Sequence, residues 1–132
     1  MVARRLDFTG RDAQAEPWEA GSDTHVVILC NDDDGPIPMT GNSARMHIRD
    51  AYNSSVIALD LTTENARIVL ADGRIEIIVD NIAMTTLIAG RPTKIGSPPF
   101  VTFVYDFEMV IGAVVERWFE GKINVKIEVT RP

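Results

Sequence analysis

The last part of the chain alternates regularly between apolar and polar side chains. Over residues 113–130 one parity is mostly apolar, with Val115, Phe119, Ile123, Val125, Ile127 and Val129. The other parity carries Glu116, Trp118, Glu120, Lys122, Asn124, Lys126 and Glu128. A period of two residues places one face of a β-strand against a core and the other against water. The pattern therefore predicts a long, half-exposed strand.

Similar segments recur along the chain, separated by turn-forming residues. They predict strands over residues 24–30, 43–50, 56–61, 66–70, 74–79 and 100–111, with a short strand near 6–9. Asp72-Gly73 is the strongest hairpin signal. Residues 80–89 break the alternation and predict one short helical turn near 81–89, with Ile82, Leu87 and Ile88 facing inward. Short strands with almost no helix predict an all-β fold, a two-layer antiparallel sandwich.

The 132 residues are enough for one domain with its own core. Residues 1–17, which we call the N-terminal arm, are polar and interrupted by Gly10 and Pro17, so we expect them to be loosely attached. Residues 18–132 are then a single β-sandwich domain. Residues 91–99 contain three prolines, and they predict an exposed loop.

Composition narrows the class of partner. The formal net charge of −6 argues against nucleic acid as a general partner, because such binding depends on neutralising phosphates. Cys30 is the only cysteine, so no disulfide forms within the chain and a buried small side chain is expected. No segment has the length and apolarity of a membrane span or the apolar region of a secretory signal, so we expect an aqueous compartment.

The acidic residues give weak signals for chemistry. The run 31–35 is acidic, but the Glu that an EF-hand needs at its twelfth position is Asn42 here, so a solvated turn is expected. Asp106 and Glu108 share one strand face about 7 Å apart, a separation that inverting glycosidases use. Any exposed strand face displays alternating carboxylates, so we expect no enzyme activity, no metal and no cofactor. Residues 90–97 fail the spacing of a phosphate loop.

Two tryptophans and the proline-containing loop are the candidate interaction surface. Its residues are Trp18, Arg91, Pro92, Lys94, Pro98, Pro99 and Trp118. Trp118 falls on the polar parity of the last strand, where a large aromatic side chain marks a contact. Sugar stacking is one use of such a ring. Burial against a neighbouring subunit or the N-terminal arm is the other, and we favour it.

A series of short motifs follows the chain in a recognisable order. The series is Trp18-x-x-Gly21-Ser22-Asp23, Asp34-Gly35-Pro36-Ile37, Thr40-Gly41, Ala44 to Arg49, Leu59-Asp60-Leu61-Thr62, Tyr105-Asp106-Phe107-Glu108, Gly112-x-Val114-x-x-Arg117, Gly121 to Val125 and Glu128-Val129-Thr130-Arg131. This order resembles a family of small β-sandwich proteins of bacteriophage and prophage tails and baseplates, similar in style to the N-terminal domain of upper baseplate proteins. Residues 91–104 depart from the family by a longer, proline-rich loop and strand.

The resemblance implies an immunoglobulin-like sandwich that assembles by symmetry in a virion. It implies a non-enzymatic component of the tail, baseplate or neck, or a fibre anchor, made in the bacterial cytoplasm. Its partners would be other phage structural proteins and further copies of itself, with no nucleic acid or membrane. We expect the N-terminal arm and the 91–99 loop to make intersubunit contacts. The alternatives are a carbohydrate-binding module that uses Trp18, Tyr52 or Trp118 for stacking, and a small enzyme.

Overall fold

The structure is a computed structural model that describes residues 4–10, 15–96 and 99–127. It is mostly β, with one short helix. The elements are β1 (Arg4–Arg5), β2 (Trp18–Glu19), β3 (Thr24–Leu29), β4 (Asn31–Asp32), β5 (Gly35–Pro36), β6 (Ser43–Arg49), β7 (Leu59–Thr62), β8 (Ile68–Ala71), β9 (Arg74–Val79), α1 (Asn81–Ile88), β10 (Phe100–Ile111) and β11 (Val114–Lys126). The predicted all-β class is therefore confirmed at this level.

The strands form a large sheet, a small sheet and a short hairpin. The large sheet has the order β1-β11-β10-β6-β7, with β2 also on β11, and the small sheet has the order β3-β9-β8. β4 and β5 form the hairpin around the acidic run 31–35, where the Asp34 amide donates to the Asp32 carboxylate at 2.9 Å. The two sheets share one core, which contains Met46, Phe103 and Phe107 from the large sheet and Ile75 and Ile77 from the small one.

The N-terminal arm and β2, which follows it, cover the β11 edge of the large sheet. β1 and β2 both run parallel to β11, at Phe119 to Glu120 and at Val125 to Lys126, so the expectation of a purely antiparallel sheet is wrong at this edge. Phe8 bridges to Ile123 and is 1% exposed. Its ring lies 5.6 Å from the rings of both Trp18 and Tyr105. The expected loose attachment is therefore wrong for residues 4–8, because Phe8 contributes to the core.

A glycine makes this edge possible. A Cβ added to Gly121 would meet the backbone oxygen of Leu6 at 2.4 Å and an Asp7 carboxylate oxygen at 2.6 Å. The Asp7 carboxylate accepts from the Lys122 amide at 2.9 Å, while the Leu6 carbonyl accepts from the Tyr105 hydroxyl. Tyr105 lies directly opposite Gly121 in the ladder, and its side chain therefore has room to reach the arm.

The predicted helix is confirmed, but the prediction that Ile82 faces inward is wrong. The Asp80 carboxylate caps α1 by accepting from the Ala83 amide at 2.8 Å. Ala83, Met84 and Leu87 are buried, whereas Ile82 is 74% exposed. At 100° per residue Ile82 lies nearly opposite Met84, so it cannot share the buried face. Among the described residues, α1 is the only helix, and no helix there is long and apolar enough to cross a membrane.

Candidate functional site

Trp118 lies in the core because of a β-bulge. The β10–β11 register shifts at Phe107 and Glu108, which face Phe119 and Arg117, and this leaves Trp118 without an opposite residue. A bulge turns two successive side chains of one strand toward the same face. Trp118 is consequently 7% exposed, and its indole N–H donates to the Glu116 carboxylate at 3.2 Å. The expectation that it stands on the wet face is wrong.

Trp18 is also buried, at 2% exposure. It stacks at a tilt on Phe8 of the N-terminal arm, with an interplanar angle of 57°. The Trp18 side chain is therefore buried against the N-terminal arm of its own chain. Neither tryptophan is available as a stacking platform for a sugar in this structure.

The loop residues separate into a fixed base and an exposed tip. The Arg91 guanidinium donates to the Asp50 carboxylate at 2.6 Å and to the Leu87 carbonyl at 2.5 Å, and it lies 5.3 Å from the ring centre of Phe103. Lys94 and Phe100 exchange two backbone hydrogen bonds, at 2.6 and 3.3 Å. Pro92, Lys94 and Pro99 are exposed, while Pro98 lies outside the described residues. Ile95, which the sequence analysis did not select, is fully exposed between these fixed points.

The β10–β11 hairpin ends in a second apolar projection. Ile111, Val114 and Val115 are 40%, 57% and 46% exposed around the Gly112 turn, where φ is 61°. β6 pairs with β10 only as far as Val110, and the described pairing of β1 with β11 starts at Phe119. We call residues 111–115 the hairpin tip. Apolar residues on both sides of the turn were visible in the sequence, but alternation placed Ile111 and Val115 on the core-facing parity of their strands.

A polar groove lies on the outer face of the large sheet. It has a volume of about 280 Å³, and its lining includes His47, Arg49, Tyr52, Asp106, Arg117 and Glu120. Tyr52 is 60% exposed and stands in the loop after β6. The groove therefore combines one accessible aromatic ring with charged groups of both signs.

Two carboxylates on this face are paired with arginines. They are the pair whose spacing resembles that of inverting glycosidases, with Asp106 at 3.7 Å from Arg117 and Glu108 at 2.7 Å from Arg45. His47 lies 3.4 Å from Asp60, and His25, on the other sheet, lies 3.5 Å from Glu76. Among residues 4–10, 15–96 and 99–127, no three His, Cys, Asp or Glu side chains are grouped as a metal site.

An apolar cavity of about 290 Å³ separates the arm from β3. Its lining includes Arg4, Leu6, Ile28, Cys30, Trp118 and Phe119. Cys30 is nearly buried, and this desolvation raises the pKa of its thiol above the ordinary value. The thiol is therefore held in its weakly nucleophilic protonated form.

Neither a scan against protein-family models nor a search of curated proteins returns a match for the sequence.

Proposed function

We propose that this protein is a non-enzymatic structural component of a bacteriophage virion. Its place would be the tail, the baseplate or the neck, or it would anchor a fibre. The order of motifs in the sequence supports this role, and the immunoglobulin-like topology belongs to the same proposal. The observation that carries the proposal is the hairpin tip, where three apolar side chains project into water at one end of the longest strands.

Exposed apolar residues grouped on a projecting element are typical of protein contacts. Ile95 gives the 91–99 loop the same character, since its side chain is fully exposed and the base of the loop is held by Arg91. Rigid projections with apolar ends suit a module that docks repeatedly in a symmetric assembly. The N-terminal arm contributes differently, because Phe8 is inside the core of its own chain.

The test uses particles from a bacterial host that carries the gene. Deletion of the gene is expected to give incomplete particles in electron micrographs, and the wild-type gene is expected to restore them. Val114→Glu should fail to restore them, because a carboxylate at the hairpin tip would be buried in the contact. The matched control is Ile82→Glu, which places the same charge on the exposed side of α1. Normal infectious particles in the deletion strain would contradict the proposal.

The polar groove favours a second candidate function, carbohydrate binding. Tyr52 is the aromatic side chain that remains accessible for stacking, and Arg49, Asp106 and Glu120 supply hydrogen-bonding groups beside it. Binding on a glycan array that is lost in Tyr52→Ala and kept in Tyr52→Phe would support this function. Equal signals from all three proteins would place the binding elsewhere.

A further inference from the structure

At one end of the small sheet lies β3, whose outer edge pairs with no strand among the residues that the structure describes. β3 pairs with β9 alone, and no backbone hydrogen bond among the described residues joins it to another strand. The Ile78 amide donates to Arg67 on the opposite side of β9, so His25, which faces Ile78, directs its own N–H and C=O away from β9. By the alternation of the ladder, the same holds for Val27 and Leu29.

This edge lacks the features that prevent strands from pairing. β3 contains no proline, no bulge, no lysine and no carboxylate. Its side chains on the outer face are also unprotected, with Val27 42% and Leu29 72% exposed. On the same face of the small sheet, Val69 and Ile78 are 43% and 37% exposed. Arg74 and Glu76 of β9 lie on this face as well, so it carries both exposed apolar and charged side chains. It continues up to an edge whose main-chain groups pair with no strand in the described part of the chain.

We infer that β3 pairs antiparallel with β3 of a second copy of this chain, about a two-fold axis at Val27. Such an axis places Val27 opposite Val27 and His25 opposite Leu29 of the other copy, and it keeps the outer faces of both small sheets on one side. All three outward-directed residues then form hydrogen-bonded pairs, which gives about six main-chain hydrogen bonds. The two small sheets become one continuous sheet of twice the width.

Side-chain chemistry selects this register. Shifting the axis to Val26 brings Leu29 opposite the Asp23 carboxylate and leaves fewer bonded pairs within the strand. In the register at Val27, no carboxylate faces an apolar residue or a second carboxylate across the seam. Each His25 stays beside Glu76 of its own chain, at 3.5 Å. A second copy is therefore the occupant that fits, since the strand is complementary to itself.

The first test is the mass of the purified chain in solution at about 100 µM. Light scattering should give twice the chain mass of 14.6 kDa. Val27→Lys places two ammonium groups opposite each other and should weaken the dimer at least about tenfold. The control is Val69→Lys, a residue of the same exposure on the far strand of the same sheet, and it should leave the mass unchanged. A monomeric wild type, or a dimer unaffected by Val27→Lys, would overturn the inference.

Cysteine cross-linking tests the register and does not depend on the lysine variant folding. In a Cys30→Ala background, Val27→Cys should form a disulfide dimer under mild oxidation, because the paired Cα atoms would lie about 5.5 Å apart. Leu29→Cys is the control. It is more exposed, but its two copies would lie about 14 Å apart along the strands, so cross-linking should be at least about tenfold slower. Faster cross-linking of the Leu29 variant would overturn the register.

This inference does not require the virion role. Failure to dimerise would leave the contacts of the hairpin tip untouched, and failure of Val114→Glu to affect particles would leave the β3 dimer intact.

Discussion

The two sheets end in opposite ways on the side where the N-terminal arm runs. The β11 edge of the large sheet is closed there by β1 and β2, and Leu6 and Asp7, which follow β1, contact Gly121, Lys122 and Tyr105. The small sheet stops at β3, whose outer backbone groups pair with no strand in residues 4–10, 15–96 and 99–127, and whose valine and leucine side chains are exposed. Mutations at the closed edge should therefore act on folding. Mutations at the open edge should act on association and leave the folding of one chain nearly unchanged.

The largest expected effect is at Phe8. Phe8→Ala removes a fully buried ring between Trp18 and Tyr105, and should lower the free energy of unfolding by about 3–5 kcal/mol. Urea denaturation followed by tryptophan fluorescence measures the change. Ile95→Ala, at the exposed loop tip, should alter it by less than about 0.5 kcal/mol. Similar values for both variants would mean that the arm is not part of the folded unit.

Gly121→Ala should have the next largest effect. The new methyl group would overlap the Leu6 carbonyl, so the arm must shift, at a cost of about 1–3 kcal/mol. The same denaturation experiment measures it, with Gly96→Ala in the exposed loop as the matched control. An unchanged midpoint in Gly121→Ala would show that residues 6 and 7 do not lie against this glycine.

The Tyr105 hydroxyl makes the closed edge sensitive to alkali. Burial, and secondarily the nearby Asp7 carboxylate, raises the pKa of Tyr105 well above its ordinary value. The unfolded chain loses this proton near pH 10 and the folded chain keeps it, so this stabilisation is fully present below pH 10. Above about pH 10 the free energy of unfolding should fall by about 1.4 kcal/mol per pH unit.

Denaturation midpoints between pH 8 and pH 11 measure this slope. Tyr105→Phe should lower stability at pH 8, because the Leu6 carbonyl loses its donor, and should flatten the decline above pH 10. An equally steep decline in the variant would assign the alkaline sensitivity to other groups.

The smallest effect on folding is expected at the open edge. Leu29→Ser removes a side chain that is 72% exposed, so the free energy of unfolding of the single chain should change by less than about 0.5 kcal/mol. The measurement is made at a chain concentration below about 1 µM, where the chain is expected to be monomeric. Dimer formation then does not contribute to the measured free energy of unfolding. A loss comparable to that of Phe8→Ala would remove the difference between the two edges.

Strands that pair with neighbours on both sides were the most predictable elements. The predicted ranges 74–79 and 100–111 match Arg74–Val79 and Phe100–Ile111. In these segments a strand on each side determines which side chains face the core and how deeply they are buried. The prediction for 56–61 was less accurate, because Val56 and Ile57 are exposed and β7 begins only at Leu59. An apolar segment next to an edge strand of a sheet does not need to pair with a neighbouring strand.

The wrong and missing predictions have a common cause. Each of these features depends on contacts between residues that are far apart in the sequence. The alternating pattern predicted that Trp118 faces water. It could not indicate the bulge, because a bulge depends on how β11 aligns with Phe107 and Glu108 of β10. Likewise, the polar residues around Phe8 concealed its place in the core, which depends on Gly121 more than 110 positions later in the chain. The polar groove brings together Arg49, Tyr52, Asp106 and Glu120 from three parts of the sequence, and no local pattern contained it.

The fixed base of the 91–99 loop has a practical consequence for locating the protein. Arg91 and the Lys94–Phe100 pair hold both ends of this loop, and the cost of closing a loop grows only with the logarithm of its length. A peptide tag inserted after Ile95 would therefore extend from the surface without disturbing the strands. Gold-labelled antibody against that tag could then show, in intact particles, where each copy resides.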